Sequence, residues 1–452
     1  MMAAMLRADP LADDTIARVL AAGAGVNLPQ METLAIVNRQ LAHWQANSAL
    51  AGWKADASVP GPIAAALEDY AGAALALPEW ADPAKIARAE TVFMDMSMTS
   101  CTLLFCASLP ECYVIPELAG VLHAAGQLEQ HTDYRIRSTA VMIFPVMMHG
   151  GLAGAGGGVA QAMKVRLIHA TIRHLMLRGD PADAVRDGAA GVVPAQDVQG
   201  PGLHHALFAK GWDVGQNGLP CNQEELAYTL LTFGYVFLRG LRKLGVGLPD
   251  ADEQAYLHAW NVLGHLLGIE RELMADTMEQ AEQMFARMQA RGRGASFQPD
   301  PRPALGAALM QAMENEIPLA LLKPFPVLLT RYLCGADAAH ALGLTARVSW
   351  LSRAMFAVTM AATRTVDAIV RLALPGFSIA RLVTRVVGYR LTVKVLMDQT
   401  RPLKLPDALL GQVGTIVEAW QADPKAPGWM NALEARLAGR HKRQTTKGPV
   451  QC

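Results

Sequence analysis

The chain lacks most of the signatures that announce an enzyme class. Neither GxGxxG nor GxxxxGK[ST] occurs, so no phosphate-cradling loop is marked in the sequence. HExxH and GxSxG are missing too, which sets aside zincins and nucleophile-elbow hydrolases. The six cysteines (Cys101, Cys106, Cys112, Cys221, Cys334 and Cys452) form no CxxC or CxxCH. That spacing excludes a zinc ribbon, a thioredoxin-like site and covalently attached c-type haem, and it fits reduced thiols. Aromatic residues are scarce, at 6%, whereas alanine, leucine and methionine abound, a balance that favours helices over sheets. Forty basic residues against forty acidic ones leave no net charge, so no nucleic-acid partner is expected. The start, Met1 to Pro10, has no basic segment followed by an apolar run. The expectation is a cytoplasmic protein without a secretory signal, with membrane association as the variant.

What is present is apolar bulk. A hydrophobic fraction of 52% and a mean hydropathy of +0.19 mark a chain that buries a substantial core. With 452 residues, it exceeds the size at which one core usually stops growing. Composition and turn signals divide it into a helical extension over 1–90, a denser core over 91–295 and a further helical region over 296–452. The last of these ends in a basic tail, Arg440 to Lys447.

Along the chain, Met31 to Leu50 has helical apolar spacing. Glu90 to Leu109 carries a nearly uncharged run rich in methionine, Met94 to Cys106. Thin charge predicts burial on most sides, so core packing is the first reading and an apolar ligand channel the second. Ser138 to Met163 carries no formal charge, but Pro145 and six glycines interrupt it, which predicts a buried helix followed by a glycine loop. Helices are expected from Asn222 to about Leu244, from Ala251 to Gly268 and from Glu270 to Ala290. His258 and His265 share a face of the second of these, but without metal-pair spacing they read as packing or surface residues. Between Ala341 and Thr400, eight basic residues stand against two acids, a local charge of +6. Basic residues interrupting apolar stretches suit a helix lying on an anionic membrane surface, and equally a solvated outer face.

The stretch Lys164 to Met176, which runs on to the helix-stop signal Gly179-Asp180-Pro181, concentrates chemistry. At about 100° per residue, Val165, Ile172 and Met176 lie on one side of His169, while Arg166 and Arg173 lie on the other. One imidazole at the seam of an apolar wall and two guanidinium groups suits a flat apolar cofactor with an anionic rim, such as haem, with His169 as its iron ligand. A core histidine, hydrogen-bonded and inert, has the same pattern. Upstream, Arg135, Thr139 and Met142 share a helical face. A buried arginine and hydroxyl there would need partners, which a cofactor carboxylate or a backbone carbonyl could each supply.

Five motifs occur in order: Leu109-Pro110-Glu111-Cys112-Tyr113; Arg135-x-x-x-Thr139; Arg166-Leu167-Ile168-His169-Ala170-x-x-Arg173; Pro220-x-Asn222-Gln223-Glu224-Glu225; and Tyr256-Leu257-His258 through Gly268. Together they resemble the latex-clearing proteins (rubber oxygenases) and the fungal oxygenase of the mycophenolic acid pathway, over about residues 90–290. The resemblance implies an all-α fold, a globin-like helical core holding one non-covalent haem b, with N- and C-terminal helical extensions. It implies His169 as the metal ligand, with Arg166, Arg173, Arg135 and Thr139 around the cofactor, and Arg135, Ser138 and Thr139 at the catalytic face. Ser138 stands where latex-clearing proteins carry a distal lysine. The family's upstream glutamate falls near Ala119, with Glu117 the nearest carboxylate. The implied reaction adds O2, as co-substrate, across a carbon–carbon double bond of an apolar small-molecule or polymer substrate, isoprenoid in kind, to give aldehyde and ketone ends. Two other readings stay open, a haem protein that senses or carries and a haem-free helical interaction protein.

Overall fold

The computed structural model describes residues 2–126, 139, 142–186, 191–198, 203–295, 297–315, 317 and 320–373. The expected Arg135 and Ser138, the tail from 440 onward and Cys452 lie outside them. The architecture is all-α. Its strands are two residues each, Val192–Val193 paired antiparallel with Trp212–Asp213.

The longer helices, in order, are α1 (Pro10–Gly25), α2 (Gln30–Ala42), α3 (Gly61–Ala74), α4 (Pro83–Asp95), α5 (Ser97–Leu103) and α6 (Pro116–Gly126). There follow α7 (Gly158–Leu177), α8 (Leu203–Phe208), α9 (Gln223–Phe233), α10 (Tyr235–Lys243), α11 (Asp250–Leu266) and α12 (Met278–Gly294). The last are α13 (Arg302–Asn315), α14 (Phe325–Cys334) and α15 (Trp350–Ala373). α4 packs along α11, α1 along α3, and α7 across α1. One hydrophobic core joins Ala12 and Ile16 of α1 to Leu263 of α11 and Leu333 of α14. The three segments read from the sequence thus share buried surface. Among the described residues, no single helix is long and apolar enough to cross a membrane.

Local chemistry explains the breaks. The expected helix from Asn222 to Leu244 is two. Asn222 caps its start by accepting the Glu225 N–H at 3.0 Å, and Gly234 divides it where the Trp260 side chain lies 3.4 Å from the place a Cβ would occupy. α12 starts at Met278 rather than near Glu270 because Thr277 caps it, accepting the Gln280 N–H at 3.2 Å, while Asn261 holds the preceding Ala275 carbonyl at 2.9 Å. In the methionine-rich run, Leu104–Ser108 widens into a π turn. Pro110 has no N–H to give the Cys106 carbonyl. The Cys334 thiol reaches that oxygen instead, at 3.6 Å, and the Ala107 oxygen at 3.7 Å. None of the five described cysteines is in a disulfide.

The glycine loop before α7 is a tight fitting. Asn47 donates to the Gly151 carbonyl at 3.0 Å and the Ala153 carbonyl at 2.5 Å, and accepts the Ala160 N–H at 3.1 Å. Glu90, 5% exposed, takes the Gly150 N–H at 2.9 Å. A Cβ on Gly151 would lie 2.3 Å from the Pro145 oxygen, and one on Gly156 would lie 2.2 Å from the Gly150 oxygen. Because backbone would have to move, Gly151→Ala and Gly156→Ala are each expected to cost about 1–3 kcal/mol. Urea unfolding checks this, and an unchanged midpoint in both would show that the loop has slack.

Candidate functional site

α7 is the scaffold of the candidate site. Its interior from Val159 to Leu177 has neither glycine nor proline, and it ends with Arg178 in the left-handed region at φ 58°. A non-glycine residue tolerates that conformation here because its side chain is anchored. Arg178 Nη2 donates to the Phe208 carbonyl at 3.1 Å and also to the Pro194 carbonyl. The expected stop at Gly179 is met one residue early, and the Gly179 N–H closes on the His174 carbonyl at 3.2 Å.

His169 is half-buried, with its Nδ1 enclosed away from solvent. The other histidine of the helix is different. His174 is 3% exposed, 3.7 Å from Asp13 Oδ1, and burial pushes its pKa down. Val165 is half-buried, and Ile172 and Met176 are buried, so the apolar side of the seam exists as expected.

The two arginines of the seam are engaged within the chain. Arg166 forms a bidentate pair with Asp9, Nε to Oδ2 at 2.5 Å and Nη2 to Oδ1 at 2.7 Å. Arg173, 0% exposed, meets both oxygens of Asp13 at 3.0 and 3.1 Å and donates to the Cys221 carbonyl at 2.6 Å. Burial is the largest influence on Asp13, pushing its carboxyl up against the pull of Arg173. The stripe expected to face a cofactor's carboxylates therefore faces α1 and the residue before it. Asp9 and Asp13 are partners that the sequence reading missed, since the first 90 residues show packing patterns and no chemistry. Thr139 is described as helical and half-buried.

The chemistry of the donor set decides how haem would fit. A half-buried imidazole beside an apolar wall has the chemistry of an axial ligand. The guanidinium groups of Arg166 and Arg173 have their charge answered by Asp9 and Asp13, so within this arrangement haem would be held by His169 and apolar contact.

A second polar cluster lies on α6, α9 and α12. Arg291 meets Glu117 at 2.5 Å and also pairs with Glu224. Glu225 is 2% exposed, and neither of its carboxylate oxygens has a hydrogen-bond partner. Burial, then the charge of Glu117, pushes its pKa well up. Burial raises the pKa of Glu224 as well, and a proton shared within the cluster would ease the crowding of carboxylates around one guanidinium. Ala119, at the position of the family's glutamate, is fully buried. A third cluster ties Glu111 to Arg239 and to Gln289 Nε2 at 2.7 Å. From Thr99 to Cys106 the run is buried core, whereas Met94 and Met96 are half-buried and Asp95 is exposed. The cavity beside it, lined by Ser100, Cys101, Leu104, Phe144 and Trp260 among others, has room for about one water. His258 accepts the Asp82 N–H at 2.9 Å, and Trp80 lies edge-on to His258 and His265, at 5.7 and 6.3 Å between ring centres. His258 is half-buried and His265 exposed, the packing and surface roles expected of them.

An all-helical body built around α7 places the chain among all-α proteins. The family is narrower than that. Residues 113–365, more than half of the chain, match the family described as ER-bound oxygenase mpaB/B'/Rubber oxygenase, catalytic domain, and the chain belongs to that family. It is 25% identical over 246 residues to the rubber oxygenase of Streptomyces sp. (strain K30), a match covering 54% of this chain. The chain spans about half, 51%, of that relative's length. Its fold is similar to a latex clearing protein, LCP, solved in the closed state, with TM-score 0.59 and 19% identity over 92% of this chain and 90% of the other.

Two outcomes follow from the ion pairs. Asp13→Ala strands a fully buried guanidinium and is expected to cost about 3–5 kcal/mol, read by denaturant unfolding; a loss under about 1 kcal/mol would mean Arg173 finds another partner. For Glu225, the folded pKa is raised, so the protonated acid favours the fold. That contribution is full below the unfolded carboxyl's pKa and fades as pH rises through the folded value. Glu225→Gln should therefore raise Tm at pH 8 more than at pH 5, and an equal change at both would count against a shared proton.

Proposed function

We propose that the chain is a haem b-dependent oxygenase that uses O2 to cleave a carbon–carbon double bond of an apolar, isoprenoid-like substrate, small-molecule or polymer, into aldehyde and ketone ends. The observation that carries this reading is the half-buried imidazole of His169 on α7, at the position the family resemblance marks as the metal ligand. Membership of an oxygenase family supports the reaction class.

When bound, haem supplies an iron centre at which O2 chemistry can proceed. The protein's share is positional. His169 would hold the cofactor through one ring nitrogen. Val165, Ile172 and Met176 give an apolar flank that excludes water from one side of the imidazole. The Asp9–Arg166 and Asp13–Arg173 pairs stop α7 from turning about its axis, which keeps the His169 ring in one direction.

His169→Ala is expected to lose haem, seen as loss of the Soret band and of pyridine-haemochrome, while far-ultraviolet circular dichroism stays unchanged. Wild-type haem content in this variant would overturn the ligand assignment. O2 uptake with an apolar alkene separates an oxygenase from a haem carrier. Stoichiometric uptake with carbonyl products is expected, and haem binding without uptake would leave a carrier.

A further inference from the structure

We propose that the first half of α15 docks on an anionic lipid bilayer surface. α15 has two faces of different kinds. Its inner face is anchored: Ser352, 2% exposed, donates to the Leu321 carbonyl at 3.1 Å, and Phe356 packs edge-on against Phe325 at 5.6 Å and Tyr332 at 6.5 Å. Its outer face is also apolar. Trp350 is 78% exposed, Val358 68% and Leu351 44%. By helical count these three share an arc of roughly 120° with the exposed Ala354, Ala357 and Ala361. No described residue covers this stripe, and the packing of α15 does not need it.

The edge of the stripe is basic. Arg353, exposed, lies just beside the Trp350 line. Arg347, exposed, precedes the helix start. Arginines beside an exposed apolar arc are the arrangement of a helix that lies in a membrane interface. There the aromatic and aliphatic residues enter the acyl boundary while the guanidinium groups meet phosphates. Trp350, at the helix N-terminus, sits where an indole ring is favoured, between headgroups and chains. The charge selects the occupant: the surrounding stretch 341–400 has a charge of +6, complementary to an anionic leaflet and repulsive toward a second copy of the same surface. The proposal uses no residue of the α7 site and stands apart from the haem reading.

The test is co-sedimentation of the full chain with vesicles of phosphatidylcholine alone, and with phosphatidylserine added at roughly one part in three. Binding is expected to the serine-lipid vesicles, weakening by at least tenfold in about 0.5 M salt. Arg347→Glu/Arg353→Glu should lower the partition roughly 25-fold, and Trp350→Ser/Leu351→Ser/Val358→Ser at least about tenfold, both with unchanged Tm because the altered residues are exposed. Equal binding by wild type and both variants would overturn the proposal, as would no binding at all. A dimer of the wild type that the triple-serine variant abolishes, without lipid binding, would assign the face to a second copy. A lowered Tm in that variant, again without lipid binding, would assign it to the chain's own residues.

Discussion

The arrangement depends most on a guanidinium buried without access to water. Arg173 is fully enclosed, and an uncompensated charge there would be costly enough to threaten the fold. Asp13 answers it with two oxygens and the Cys221 carbonyl supplies a third acceptor. About two turns earlier on α7, Arg166 repeats the device with Asp9. A segment that opens the chain is thus tied to the helix at its centre, and the stretch after α8 is drawn into the same knot. The N-terminal extension is part of what holds α7.

The same economy recurs elsewhere. Glu90 is enclosed beside the glycine loop and takes a backbone N–H there. Glu111 is met by Arg239 and Gln289, and Arg291 serves Glu117 and Glu224. Each buried carboxylate links helices distant in sequence, so these pairs set register where apolar packing alone would allow sliding. Glu225 is the exception. Lacking a partner and facing Glu117, it is better accommodated as a neutral acid than as an anion.

The helical class, the glycine loop before α7 and the helix end near Gly179 were legible in the sequence because each rests on local chemistry: periodicity, backbone freedom and stop residues. A helical count placed His169 at a seam between apolar residues and arginines, and it lies half-buried on α7. The partners of Arg166 and Arg173 were not legible. A helical wheel says that two arginines share a face, and it is silent on what lies opposite when the carboxylates are 157 and 160 residues away. The break at Gly234 was likewise hidden, since it comes from the approach of Trp260 and from no local signal. Glu224 and Glu225 read as ordinary first-turn acids, and only the packing of α6 and α12 against them makes their burial visible. The outer face of α15 was partly legible as charge among apolar residues, whereas which side it docks by required Ser352 and Phe356.

The central claim is that α7 presents one imidazole, His169, to a haem through a helix locked by buried ion pairs. Cavity rescue tests it most directly. The His169→Gly protein is reconstituted with haem and titrated with free imidazole while the Soret band and the ferric electron paramagnetic resonance signal are followed. The account predicts that the glycine protein holds haem weakly or not at all and that added imidazole restores a wild-type-like spectrum and haem retention. A glycine protein that binds haem with the wild-type spectrum before any imidazole is added would contradict it.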